Sequence, residues 1–187
     1  MTNSLSRSEP GAGHPFLGFL NTVADDHKTR RENSFSNAAE LVALLQEAGF
    51  PPPATAPDAA QMRRILGLRE AAYGAFSAIA AGRGPGREDS LFLTDALRRT
   101  YAEARFGLGP DGLSVAAAPD GPLFDLLVLS MDDLMRSEEF GRLRECRRCT
   151  HLFIDKGRGV GRRWCSMSRC GNRAKAESFR ARQRKAA

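Results

Sequence analysis

A chain of 187 residues with 28 Lys/Arg, 22 Asp/Glu and 42% hydrophobic residues has room for one domain or two small ones. Its longest apolar run, near Leu123 to Leu129, is too short to cross a bilayer, so no membrane partner is expected. The net charge of +6 is divided: residues 141–187 carry 15 Lys/Arg and three acids, a net +12, and residues 1–140 carry 13 and 19, a net −6. Such segregation points to two jobs on one chain, with the basic end facing a polyanion.

Residues 1–13, rich in Ser, Gly and Pro, read as a flexible N-terminus ahead of a mostly helical domain over 14–140. Phe16, Leu20 and Val23 recur at helical spacing. Asn37 and Glu40 form an Asn-initiated capping box before Leu41 and Leu45, and Gly49 closes that helix. Four prolines within 50–57 mark a turn region. A long helix is expected from about Asp58 to Ala81, with Ile65, Leu68, Ala72, Phe76 and Ile79 along one stripe and Gly82 as its stop. Another, near Ser90 to Arg105, presents Leu93, Leu97, Tyr101 and Ala104. Asp111-Gly112 between short apolar stretches predicts a small β-hairpin within 106–122. Leu123 to Met135 is apolar around most of its circumference, the pattern of a central buried helix, and 137–143 reads as a short helical connection. The fold class expected is mainly α, with a small β component (α+β).

All four cysteines fall in the basic end, spaced Cys146-x2-Cys149-x15-Cys165-x4-Cys170. Two clustered thiol pairs around a short insert suit Zn2+, which accepts four thiolates at tetrahedral geometry. The large apolar residues of 141–187 are few for the length to be ordered, and a structural zinc contributes about 10–16 kcal/mol of apparent binding free energy. Four thiolates and one Zn2+ would leave the segment at about +10. Disulfides and a redox Cys-x-x-Cys are the alternatives. The opening residues contain no apolar signal core, so a cytoplasmic, reducing compartment is expected, where paired Cys favour metal. Leu152-Phe153-Ile154-Asp155, a glycine-containing turn and Arg162 to Cys165 read as strand, turn, strand, returning Cys165 to the first pair. From Cys170-Gly171-Asn172-Arg173 a run of helix formers continues to about Lys185, completing a treble-clef-like order in the module 141–187.

These residues resemble the CGNR-type zinc finger family, through Cys146, Cys149, Phe153-Ile154-Asp155, Arg162-Arg163-Trp164-Cys165-Ser166-Met167 and Cys170-Gly171-Asn172-Arg173-Ala174-Lys175. Upstream, Phe16-Leu17-Gly18-Phe19-Leu20-Asn21-Thr22 resembles the Phe-x-Asn-Thr motif of the ABATE-type domain that commonly precedes this finger. Gly18 stands where that motif usually has an acid, and Gly159-Val160-Gly161 replaces a more Ser/Asn/Arg-rich loop. The resemblance implies a stress-induced transcription regulator that binds DNA.

On a terminal helix Arg173, Arg180 and Arg184 share one face and Lys175 and Arg182 form a second stripe, with Ala176 and Phe179 between them as a packing strip. With Arg162 and Arg163 these are the candidate nucleic-acid contacts. Arg173 is placed to read a base edge and the others to meet phosphate. Trp164 reads as mini-core beside the zinc, with a stacking platform as the alternative. Ser166 and Asn172 read as partners of local backbone or thiolates. His14, His27 and His151 are expected to be exposed. Asn21, Thr22 and Asp25 form a polar cluster that would line a small-ligand pocket with Arg30 or Arg31 nearby, or else cap and bond neighbouring helices. No Ser/His/Asp order, phosphate loop or His-Glu-x-x-His is present, so no enzyme is expected. The function expected is a zinc-containing regulator that binds duplex DNA, as a possible homodimer, and senses a small effector. The alternative is an RNA-binding or protein-interaction adaptor without sensing.

Overall fold

The 22 residues Ala59–Ala80 form the longest helix, α3, of a computed structural model that describes residues 12–23, 28–110, 112–118, 121–157 and 161–186. Its start is set by a full capping box, in which the Asp58 carboxylate accepts from the Gln61 backbone and the Gln61 side chain accepts from Asp58 N–H. Ile65, Leu68, Ala72, Ala75 and Phe76 are buried along one stripe, and α3 packs against the helices at 15–20, 87–103 and 123–136 and the strand at 143–145. The central helix is therefore α3.

Three shorter helices and one further long one complete the helical part: α1 (Pro15–Leu20), α2 (Ala38–Glu47), α4 (Arg87–Glu103) and α5 (Leu123–Arg136). Helix α1 starts on His14, whose Nδ1 accepts from Phe16 N–H, with Pro15 at the first position. Phe16, Leu17, Phe19 and Leu20 are all fully buried, and Phe16 meets Phe76 edge to face at 5.9 Å. In α2 Asn37 caps Glu40 N–H, but Glu40 reaches back to Ser36 N–H, one residue earlier than a capping box requires. Gly18 explains its own departure from the family pattern: a Cβ there would come within 2.7 Å of the Ala48 Cβ, so glycine lets α1 meet the end of α2.

Helix α5 departs from the expectation of burial all round. Leu123, Phe124, Leu127, Val128, Met131 and Leu134 are buried, whereas Asp133, Met135 and Arg136 are exposed on the opposite side. The hairpin is present as β1 (Arg105–Gly109) paired antiparallel with β2 (Gly112–Ala116); Asp111 in its turn lies outside the described residues.

A short 3-10 turn over Glu138–Arg142 leads into β3 (Leu143–Glu145), which pairs antiparallel with β4 (Leu152–Ile154). This corrects the expected strand pairing. The partner of β4 is β3, across the Cys146-x2-Cys149 turn, and not the segment 162–165. The thiol turn itself reverses the chain, closed by Cys146 N–H to His151 O at 2.9 Å. One turn of π-helix (Met167–Gly171) then opens α6 (Asn172–Ala186).

All three residues of β4 are buried, and they face two cores. Leu152 and Ile154 join Leu143 in the helical core, while Phe153 points to the cysteines. The outer edge of β4 is also occupied: Ile154 N–H donates to Ala12 O at 2.9 Å, and the Asn21 side chain both donates to Leu152 O and accepts from Leu152 N–H, each at 2.9 Å. Residues 1–11 of the expected flexible N-terminus lie outside the described residues. Ala12, at its end, is buried. The helical part and the cysteine module thus share one packed interface.

Candidate metal centre and nucleic-acid interface

Cys146 leaves β3, Cys149 ends the turn, and the π turn carries Cys170 back to them. The four sulfurs lie within 4.8 Å of one another, with Cys149, Cys165 and Cys170 mutually 3.6 Å apart. A disulfide needs about 2.05 Å between sulfurs. Tetrahedral Zn2+ with bonds of about 2.3 Å puts its sulfurs about 3.8 Å apart, so the cluster fits a metal and not a bridge. Electrostatics point the same way. Hydrogen bonds from Cys149 and Cys165 hold the Cys146 thiol far below its ordinary range, while hydrogen bonding with Cys146 and Cys165 pushes Cys149 strongly up and hydrogen bonding with Cys146 pushes Cys165 up to about 12. Zn2+ takes its cysteine ligands as thiolates and would offset their mutual repulsion.

Phe153 and, partly buried, Trp164 pack on this centre. A Cβ at Gly171 would lie 2.7 Å from Met167 Sδ, the end of a half-exposed side chain that can move aside, and 3.3 Å from Trp164 Cδ1. Ser166 starts the π turn, its hydroxyl accepting from Arg169 N–H at 3.3 Å. The Asp155 carboxylate accepts from the N–H groups of Gly157 and Arg162, which holds it below the usual carboxylate range and ties the loop to β4.

The candidate nucleic-acid residues divide. Arg162, although exposed, bonds its own loop: its guanidinium donates to Trp164 O and Cys165 O and lies 4.5 Å over the Phe153 ring. Arg163 lies 6.0 Å from the Trp164 ring centroid. Arg173, Lys175, Arg180, Arg182 and Arg184 are all exposed on α6. The expected packing strip is absent. Ala176 is exposed and Phe179 is 55% exposed, because among the described residues the main packing partner of α6 is the π turn that precedes it. Arg148, on the thiol turn, pairs with Glu177 and steadies the first turns of the helix.

Asn21 and Thr22 face protein. Asn21 caps α1 and bonds Leu152, and the buried Thr22 hydroxyl donates to Phe19 O at 2.7 Å. Asp25 and His27 lie outside the described residues. His14 and His151 are not exposed as expected. Burial lowers the His14 pKa, and for His151 burial followed by the charge of Arg169 does the same.

Around them runs a polar network of which the sequence pointed only to Arg30. Arg69, 3% exposed, donates to Thr22 O, the Thr22 hydroxyl, Asn33 Oδ1 and Glu70. Arg30, in a left-handed backbone at φ 51°, lies 3.9 Å over the Tyr73 ring and donates to Glu70, Leu20 O and Thr150. Glu145, next to the first thiol, accepts from Lys28, Tyr73 and Ser77. The available signal for Arg69 was its position: an arginine four residues after Ile65, on the apolar stripe of α3.

A helical domain packed on a four-cysteine finger from which a basic, exposed helix projects is the architecture of a zinc-finger protein. The chain belongs to the ABATE family, described as "Putative stress-induced transcription regulator", whose model matches residues 13–138; residues 142–183 match the CGNR zinc finger. No curated protein matches the chain. Among the described residues no helix is long and apolar enough to cross a membrane.

Proposed function

We propose that this chain is a transcription regulator whose zinc finger binds duplex DNA by laying α6 in the major groove. The observation that carries this reading is the exposure of α6 along its length, with Arg173, Lys175, Arg180, Arg182 and Arg184 in solvent on a helix based at the metal centre. Its 15 residues span about 22 Å, and a major groove about 12 Å wide admits such a helix. Arg173, nearest the metal, reads a base edge, and the outer residues meet phosphates. Arg162 also holds its loop, and with Arg163 it stands at the margin of the contact set.

Anisotropy titration of zinc-loaded protein against duplex DNA, structured RNA and single strands at several salt concentrations tests this. With about six phosphates neutralised, log K falls against log salt with a slope near −5. Arg180→Ala or Arg182→Ala lowers that slope by about one each, and Arg173→Ala changes sequence preference. Tighter binding to structured RNA would favour the adaptor reading, and no salt-sensitive affinity for any nucleic acid would end the proposal.

We assign effector sensing to the helical domain. Asn21 and Thr22 are occupied by protein, so the place for a small molecule is the concave surface where α3 meets the start of α5. It is lined by Gln61, Arg64, Ile65, Pro122 and Phe124, with Arg64 lying 4.5 Å over the Phe124 ring. An effector that raises the thermal midpoint of the wild type but not of Arg64→Ala supports this assignment; an equal rise in both rejects it.

A further inference from the structure

Ala176 and Phe179, which lie between the two basic stripes of α6, are left in solvent, and so is Gln183, one turn further on. At about 100° per residue these three fall within about 60° of the helix circumference. Arg173, Arg180 and Arg184 are centred about 90° to one side of them, and Lys175 and Arg182 about 80° to the other. The opposite side carries Ala174, Glu177, Ser178 and Ala181. That side is turned to the finger: Ala174 is half-buried, and Glu177, the one acid of the helix, is held by Arg148 on the thiol turn. The strip of Ala176, Phe179 and Gln183 therefore faces away from the finger, between two walls of positive charge.

We propose, building on the duplex-DNA reading above, that this strip is the base-reading edge of the finger and that it selects A·T pairs, with an adenine against Gln183 and thymine methyl groups against Phe179 and Ala176. A helix with its side chains is about 10–12 Å across, close to the width of the major groove, so one narrow strip meets the floor while its flanks meet the walls. Here both flanks are cationic and suit the two phosphate backbones, which makes the strip between them the part that enters deepest.

The chemistry of the strip then selects the bases. Glutamine bonds adenine N6 and N7 together, and alanine and phenylalanine contact the thymine C5 methyl, a group that G·C pairs lack. The strip holds neither a carboxylate, the partner of cytosine N4, nor an arginine, the partner of guanine. Guanine is left to Arg173, on a flank and nearest the metal. Ala176 and Gln183 are seven residues apart, about 10 Å along the axis, or about three base-pair steps, so the A·T segment is short.

Selection of duplexes from a randomised library by the zinc-loaded full chain, followed by anisotropy titration of the enriched site, tests the proposal. The wild type should enrich a site containing about three consecutive A·T pairs. Gln183→Ala should lose about five- to a hundredfold in preference for its adenine. Deoxyuridine in place of the contacted thymine removes only the methyl; it should weaken wild-type binding about three- to fivefold and leave Phe179→Ala unchanged. Neither variant removes a charge, so the slope of log K against log salt should hold at the wild-type value. Arg182→Ala should lower that slope by about one and keep the A·T preference. All three substituted residues are exposed, so zinc content and helical circular dichroism should match the wild type. An enriched site without A·T pairs overturns the assignment and leaves DNA binding standing, as do salt-sensitive binding with no enriched sequence, a preference unaltered in both strip variants, and an equal deoxyuridine effect in wild type and Phe179→Ala. Absence of salt-sensitive binding to any duplex removes both readings.

Discussion

Replacing Asn21 by alanine should destabilise the whole chain, because its side chain supplies the missing hydrogen bonds of a strand 131 residues away. Leu152 is fully buried, and its outward N–H and C=O are met by Asn21 Oδ1 and Nδ2, both at 2.9 Å. Truncation leaves two backbone groups unsatisfied at about 1–3 kcal/mol each. Asn21 is only partly buried, so water can reach some of the gap, and about 2–4 kcal/mol is expected in total. At this chain size that lowers the thermal midpoint by roughly 5–15 °C. Asn21→Asp distinguishes this account from loss of generic packing: a carboxylate still accepts from Leu152 N–H but cannot donate to Leu152 O, so it should be at least as damaging despite equal size. Differential scanning calorimetry on zinc-loaded protein measures both. A cost below about 0.5 kcal/mol for both variants, the level of an ordinary surface change, would refute the reasoning.

Removing zinc with a chelator should loosen the helical domain as well as the finger, since Phe153 and its neighbours on β4 answer to different cores. Trp164 fluorescence and helical circular dichroism should change in one transition, and an unchanged melt of the helical part would count against it. His14 should make stability acid-sensitive. Its Nδ1 accepts from Phe16 N–H while Nε2 faces Asp133 at 3.1 Å, an arrangement that the neutral ring satisfies with its proton on Nε2. Burial lowers its folded pKa, so this contribution is complete above the unfolded value of about 6.5 and is lost as pH falls through the folded value. His14→Asn, which keeps a cap without titrating, should flatten that loss in melts between about pH 8 and 5; an identical acid limb would exclude His14. Gly18→Ala should cost about 1–3 kcal/mol by driving a methyl against Ala48, and denaturant unfolding showing no loss would mean the helices part freely.

Local signals are legible where the residues that specify an element are neighbours. Asp58 and Gln61 announce α3 three residues apart, Asp111-Gly112 announces its hairpin, and four cysteines of metal-ligand spacing announce their cluster. What escaped depends on partners far along the chain. Leu143-Arg144-Glu145 is too short to show alternation and becomes a strand only because β4 lies beside it. Leu152-Phe153-Ile154 looks like any buried strand, and nothing local says that its faces go to separate cores. Asn21 was legible as a motif but not as an edge cap, since Leu152 is remote. Ala176 and Phe179 follow helical periodicity, yet periodicity reports an amphipathic face without supplying a surface to cover it.

The two faces of β4 also bear on how portable this finger is. A fragment cut at residue 141 would bring Leu143, Leu152 and Ile154 into water and leave Asn21 and Ala12 without their strand. Fused to a foreign sensor, the finger would need that partner to offer an apolar socket and a strand-edge cap of the same shape. It is therefore not an interchangeable cassette, and exchanging such fingers between relatives should succeed only when α1, α3 and the strand pair travel together.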